Sequence, residues 1–242
     1  MKLSKLAVAS NLLTLISMHK LMKRTLRILT VSAFIGAYLF SLSSVQAEKT
    51  LELELPKPKF SGTPVPIKGI PHLEKTTIGE RVLPKVPDDV GLISEGKEVT
   101  SSDDWPIIGE LEFLTDGDKD ADEGYYVELG PELQWVQIDL ESAKEIHVIA
   151  LWHYHSQARA YHDVIVQVSD DPEFGSGVKT VFNSDHDNSS GLGKGKDKAY
   201  IETHEGKVIE AGGVKGQYVR LYSNGNSTDT MNHYIEAQVF GR

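Results

Sequence analysis

The sequence predicts an all-β protein, an antiparallel β-sandwich preceded by a signal peptide and a proline-rich extended arm. Three observations lead to that prediction. Beyond Val90 the apolar residues recur with period two in short runs, and those runs are separated by Gly, Asn and Asp clusters. No stretch of the same region shows an apolar face at 3.6-residue spacing long enough for a substantial helix. About 150 residues of this character can bury one good core.

A chain of 242 residues fits one domain with additions. The first addition is Met22–Ala47, "MKRTLRILTVSAFIGAYLFSLSSVQA", where Lys23, Arg24 and Arg27 precede an apolar run from Ile28 to Leu42 and small residues follow at Val45 and Ala47. That order is the n-region, h-region and A-x-A-like site of a signal peptide, so cleavage is expected near Ala47 and the domain limits are 1–47, 48–91 and 92–242. Met22 is then a candidate for the true start. A membrane span needs about 20 apolar residues, and this run falls short, so no stable membrane insertion is expected.

Residues 1–47 hold six of the 25 Lys and Arg and none of the 35 Asp and Glu, which leaves 19 basic against 35 acidic residues and a net charge of −16 in the remainder. Such a surface repels nucleic-acid phosphates and anionic membranes, so no nucleic-acid partner is expected. The chain has no cysteine, hence no disulfide and no cysteine-linked lipid. Export without disulfides points to a secreted or periplasmic bacterial protein, in which a bound cation is an attractive alternative staple.

From Glu48 to about Pro87 the chain is broken by Pro56, Pro58, Pro64, Pro66, Pro71, Pro84 and Pro87, which reads as an extended arm, either lying along the domain or spacing it, with "LELEL" at 51–55 a candidate short strand. The domain follows. Val136, Ile138 and Leu140 alternate with Gln137 and Asp139, Val164, Val166 and Val168 with Ile165 and Gln167, and "TVFN", "AYIET", "YVRLYS" and "YIEAQVF" repeat the pattern. "SSGLGKGKDK", 189–198, reads as one flexible loop.

Chemistry concentrates in "ALWHYHSQARAYHDV", 150–164. On a strand Trp152 and Tyr154 point one way and His153 and His155 the other, but Ala150 shares the aromatic face and Ile149 and Leu151 the histidine face. Periodicity therefore leaves open which face is buried. Arg, Asn, His and an aromatic ring suit a sugar, which needs donors for vicinal hydroxyls and an apolar face for its C–H surface. A second reading makes Trp152 and Tyr154 core. A third gathers His153, His155 and His162 with His186, Asp187 and His233 around zinc or copper, although no HExxH spacing, GxSxG elbow or Walker loop accompanies them.

Six segments, in order, resemble the discoidin or coagulation factor 5/8 type C domain and the related family 32 carbohydrate-binding modules of the galactose-binding-like superfamily. They are "GKEVTSS" (96–102), "LTDGDKDA" (114–121), "WVQIDL" (135–140), "VIVQVSDDPEF" (164–174), "YVRLYS" (218–223) and "EAQVFG" (236–241). The resemblance covers roughly residues 92–242 and implies a discoidin-like jelly roll. It also implies a structural Ca2+ bound by the side chains of Asp116 and Glu236 and the main-chain oxygens of Phe113, Asp118, Ala121 and Ile235. Ala121 stands where the family often has threonine, which removes one hydroxyl ligand. The ligand mouth it implies brings His155, Arg159 and Asn224 or Asn226 together, within loops that also carry Trp152, His153, Tyr154 and His233. The function expected is a secreted, non-catalytic module that captures a glycan or another cell-surface polymer. The alternatives are a metal-dependent hydrolase built on His153, His155 and His162, or a purely structural envelope protein.

Overall fold

The computed structural model describes residues 19–20, 22, 47–59, 67–75 and 81–242, so the signal-peptide reading lies almost wholly outside the described residues. The chain divides into Met1–Ala47 and Glu48–Arg242. Among the described residues the second unit carries β1 (Glu48–Thr50), β2 (Lys85–Pro87), β3 (Gly91–Leu92), β4 (Val99–Ser101), β5 (Val127–Leu129), β6 (Leu133–His153), β7 (Ile165–Ser169), β8 (Lys179–Asn183), β9 (Lys207–Asn224) and β10 (Asn232–Gly241). One 3-10 turn, Leu111–Thr115, interrupts them. No helix among the described residues is long and apolar enough to cross a membrane.

β1 pairs with β2, while the main sheet runs β3-β10-β6-β9-β7-β8, with β4 on β6 and β5 on β10, every strand pair antiparallel. Closure into a sandwich comes from the two long strands. The β6–β9 ladder jumps from Asp139↔Tyr218 to Lys144↔Gly216, and Glu141 takes a left-handed φ of 66° at that corner. Gly216 is needed there, because a Cβ would lie 2.4 Å from Val168. The first half of β6 and the second half of β9 thus join β4, β7 and β8 in one layer. The remaining halves join β10 and β3 in the other.

Between the layers lies the main core. Val136, Ile138, Val166 and Leu221 from the first layer meet Ile149, Leu151, Ala237 and Val239 from the second, all with 0% exposure. The alternation read from "WVQIDL" is therefore that of a strand with one face in the core. The run "VIALWH" is different, because both its faces are covered. Val148, Ala150 and Trp152 turn away from the main core into a second cluster with Ile235 and Phe240, and that cluster is closed by Leu51, Val86 and Val90 of the arm. A strand buried on both sides reads as a continuous apolar run, which is why its periodicity was ambiguous.

Two sequence readings change. "LELEL" is not a strand, since β1 ends at Thr50 and Leu51 is buried in the second cluster with Leu53 packed against it. "AYIET" is a loop, and the strand that follows, from Lys207, carries Gly212 and Gly213 at positive φ.

Candidate functional site

The segment after β6 (154–164) and the one after β9 (225–231) lie against each other at one end of the sandwich. Tyr161 bridges Asn226, the His162 amide donates to the Gly225 carbonyl, the Asn224 amide to the His162 carbonyl and the Ser227 amide to the Ala160 carbonyl. β5 adds a third wall by pairing with the start of β10, Glu128 opposite His233.

Tyr154, Arg159 and His233 meet here. The Arg159 guanidinium lies 4.7 Å over the Tyr154 ring, its Nη1 3.4 Å from His233 Nδ1 and 3.6 Å from Asp229 Oδ2. Burial, followed by the Arg159 charge, holds His233 down to about 4, so near neutral pH the ring is uncharged. Its Nδ1 then accepts from the Tyr161 hydroxyl at 3.0 Å and its Nε2–H donates to Glu128 Oε2 at 3.2 Å. Tyr126 stands edge-on to both Tyr154 (5.0 Å) and His233 (5.6 Å). Tyr126, Glu128 and Asp229 were missed in the sequence. The only signal for the first two was the alternation in "YVEL" directly after the acidic loop.

The other expected ligand residues are placed elsewhere. Trp152 is wholly buried in the second cluster, its indole N–H donating to the His204 carbonyl at 3.0 Å. Gly206 makes room for that ring, since a Cβ would stand 2.6 Å from it. His153 turns into the main core, stacked on Tyr161 at 4.2 Å, with its Nδ1–H donating to Glu202 Oε1 at 2.6 Å. His155 is buried with Nε2 on the Lys119 carbonyl at 3.0 Å. Asn224 donates to Asp163 at 2.8 Å, and Asn226 is used within its own turn, bonded to Asp229 and the Met231 carbonyl.

Among the described residues five buried polar atoms have no hydrogen-bond partner: His153 Nε2, His155 Nδ1, Arg159 Nε, Tyr200 Oη and Glu202 Oε2. Buried polar groups are normally satisfied by protein, water or ligand. The histidine metal centre is not assembled. Among the described residues, the close group of three possible ligands is Asp163, Asp185 and Asp187, and Asp185 already accepts from the Asn188, Ser189 and Ser190 amides.

The acidic loop and the last strand also come together. The Gly117 amide donates to Glu236 Oε2 at 3.3 Å. Glu236 is 2% exposed, and burial pushes its carboxyl up to about 8 although the Gly117 amide and the Lys119 charge pull the other way. Burial raises Asp116 as well. A dry carboxylate beside a second acid fits a hard cation. Ala121 is buried and its carbonyl accepts from Ser156 Oγ at 2.5 Å. Phe113, in the 3-10 turn, packs at the edge of the main core, and Asp118 accepts the Asp120 amide through its side chain.

No family model matches the chain, and no curated protein matches it. Among the solved structures to which it is similar are carbohydrate-binding modules, some of them of family 32. One is the module of AlyQ in complex with 4,5-unsaturated mannuronic acid, 20% identical over 59% of this chain and 93% of that one, with a TM-score of 0.44. Another, from Clostridium perfringens in complex with GalNAc-β-1,3-galactose, is 14% identical over 62% and 99% with a TM-score of 0.45. Chitosan-binding module 1 from the chitosanase/glucanase of Paenibacillus sp. IK-5 is 19% identical over 62% and 99% with a TM-score of 0.40.

Proposed function

We propose that this protein is an exported, non-catalytic module that binds a glycan at the loop end, with Arg159, Tyr154, His233, Tyr126 and Glu128 forming the binding surface. The observation that carries the reading is the Arg159 guanidinium laid on Tyr154 beside the uncharged His233 ring and Tyr126. A planar donor fork beside aromatic rings and a neutral imidazole supplies both the hydroxyl partners and the C–H platform that a sugar needs. Export is supported by the basic, apolar and small-residue order at 22–47.

The test is a glycan array followed by titration calorimetry on the best binder. Arg159→Lys keeps the charge and loses the fork, and Tyr154→Ala removes the platform. Each is expected to weaken binding by about ten- to a hundredfold, the worth of one or two charge-assisted hydrogen bonds, with the melting temperature as a check on folding. Unchanged affinity in both variants, or no binder at all, contradicts the reading.

The proposal includes a Ca2+ ion held by Asp116 and Glu236 with the carbonyls of Phe113, Asp118, Ala121 and Ile235. It would tie the acidic loop to β10 in a chain that has no disulfide. Without it, the Lys119 ammonium is the positive charge acting on both carboxylates. A ligand present at a hundredfold excess over its Kd stabilises the folded state by about 2.7 kcal/mol. Adding a chelator is expected to lower the melting temperature by roughly 5–10 °C, with Ca2+ restoring it and Glu236→Gln abolishing the response. A melt indifferent to chelator and to Ca2+ removes the ion from the account.

A further inference from the structure

We propose that the outer face of the first layer holds a second binding site, a cleft for a sugar chain bearing free amino groups. The register builds this face strand by strand. Thr100 lies opposite Gln137, Gln137 opposite Arg220, and Arg220 opposite Gln167, while in the adjacent row Asp139 lies opposite Tyr218. Their neighbours Val136, Ile138, Val219 and Leu221 fill the core, so strand alternation sends this set outward. The outer face of the other layer is covered by the arm. Here a cleft of about 310 Å³ remains, at the lower end of the size of small-ligand sites.

The cleft is built around one fixed cation. Arg220 is 8% exposed, its guanidinium sandwiched 4.1 Å from the Trp135 ring and 4.1 Å from the Phe174 ring. Nε donates to Gln137 Oε1 and Nη2 to the Pro172 carbonyl, each at 2.8 Å. Nη1 has no hydrogen-bond partner among the described residues. Phe174 is held at a φ of 54°, a left-handed conformation that strains a bulky residue, and the turn keeps it there through the bond from its amide to the Asp171 carbonyl.

The occupant follows from charge. Glu98, Asp139 and Glu173 line the cleft against the single guanidinium, so an acidic sugar is repelled and an ammonium attracted. Thr100, Gln137 and Tyr218 add short hydroxyl and amide partners suited to sugar hydroxyls. A peptide recognised by strand addition needs unpaired backbone groups, and on this face the backbone is already committed to the β4-β6-β9-β7 ladder. None of the residues at the loop end takes part, so this site stands or falls independently of the reading given above.

Calorimetry on the purified protein at about pH 6, where amines are charged and carboxylates ionised, tests it with a glucosamine tetramer, its fully N-acetylated form, a uronate tetramer and tetralysine. The glucosamine tetramer is expected to bind roughly tenfold or more tightly than the other three. Glu98→Gln with Glu173→Gln, both exposed and outside the core, is expected to remove that preference at an unchanged melting temperature, and Tyr154→Ala to leave it intact. Equal binding of the acetylated tetramer or of tetralysine overturns the proposal. So does a preference that survives the double variant, one lost in Tyr154→Ala, or no binding of the glucosamine tetramer.

Discussion

A chain that starts at Gly91 is expected to lose most of its stability and to aggregate. The arm contributes Leu51, Val86 and Val90, at 4%, 2% and 2% exposure, to the cluster that covers Val148, Ala150, Trp152 and Phe240. Burying each of three such side chains is worth about 1.5–3 kcal/mol, and their sum approaches the total of 5–15 kcal/mol that holds a typical domain together. Removing them also bares an apolar strand face, a site for association with other copies. Leu51→Asp with Val86→Asp reproduces the defect in the intact chain. Urea denaturation and size-exclusion chromatography read both effects, and a truncated protein that stays monomeric with an unchanged midpoint would show the arm to be a passive spacer.

His153→Ala is expected to cost about 3–5 kcal/mol, because it leaves the Glu202 carboxylate buried without its donor. Both side chains of the pair are 0% exposed and the contact is 2.6 Å. The stacking of His153 on Tyr161 at 4.2 Å is lost as well. Replacing both partners, His153→Leu with Glu202→Leu, is expected to recover most of the loss, since two apolar groups of similar volume need no partner. Urea midpoints of the single and double variants make the comparison. A double variant as unstable as the single one would mean that packing, and not the stranded charge, sets the cost.

What the sequence revealed of the fold follows from which faces are covered. β6 up to Leu140, β7 and β10 each keep alternating residues or flanking turns that mark them as strands. The half of β9 from Lys207 was missed because Gly212 and Gly213 look like a turn when they in fact serve a bulged strand. "AYIET" looked like a strand because Tyr200 and Glu202 alternate, but that alternation serves to aim Glu202 at His153. The orientation of Trp152 was undecidable, because its cover comes from Leu51 and Val86, far away in the chain and masked by prolines. At the loop end, Arg159 and His233 could be placed through the resemblance to the sugar-binding modules. Tyr126, Glu128 and Asp229 could not, since they reach Tyr154 and Arg159 only through the β5–β10 pairing and the turn at 226–231.

The proposed function places a glycan at the loop end. Amide chemical-shift mapping during titration with the neutral oligosaccharide that binds best on the array tests this most directly. The largest changes are expected at Tyr126, Glu128, Tyr154, Arg159 and His233, with Val166 and Val168 in the core unmoved. Saturable binding whose shifts gather on any other surface, with Tyr154 and Arg159 silent, would contradict it.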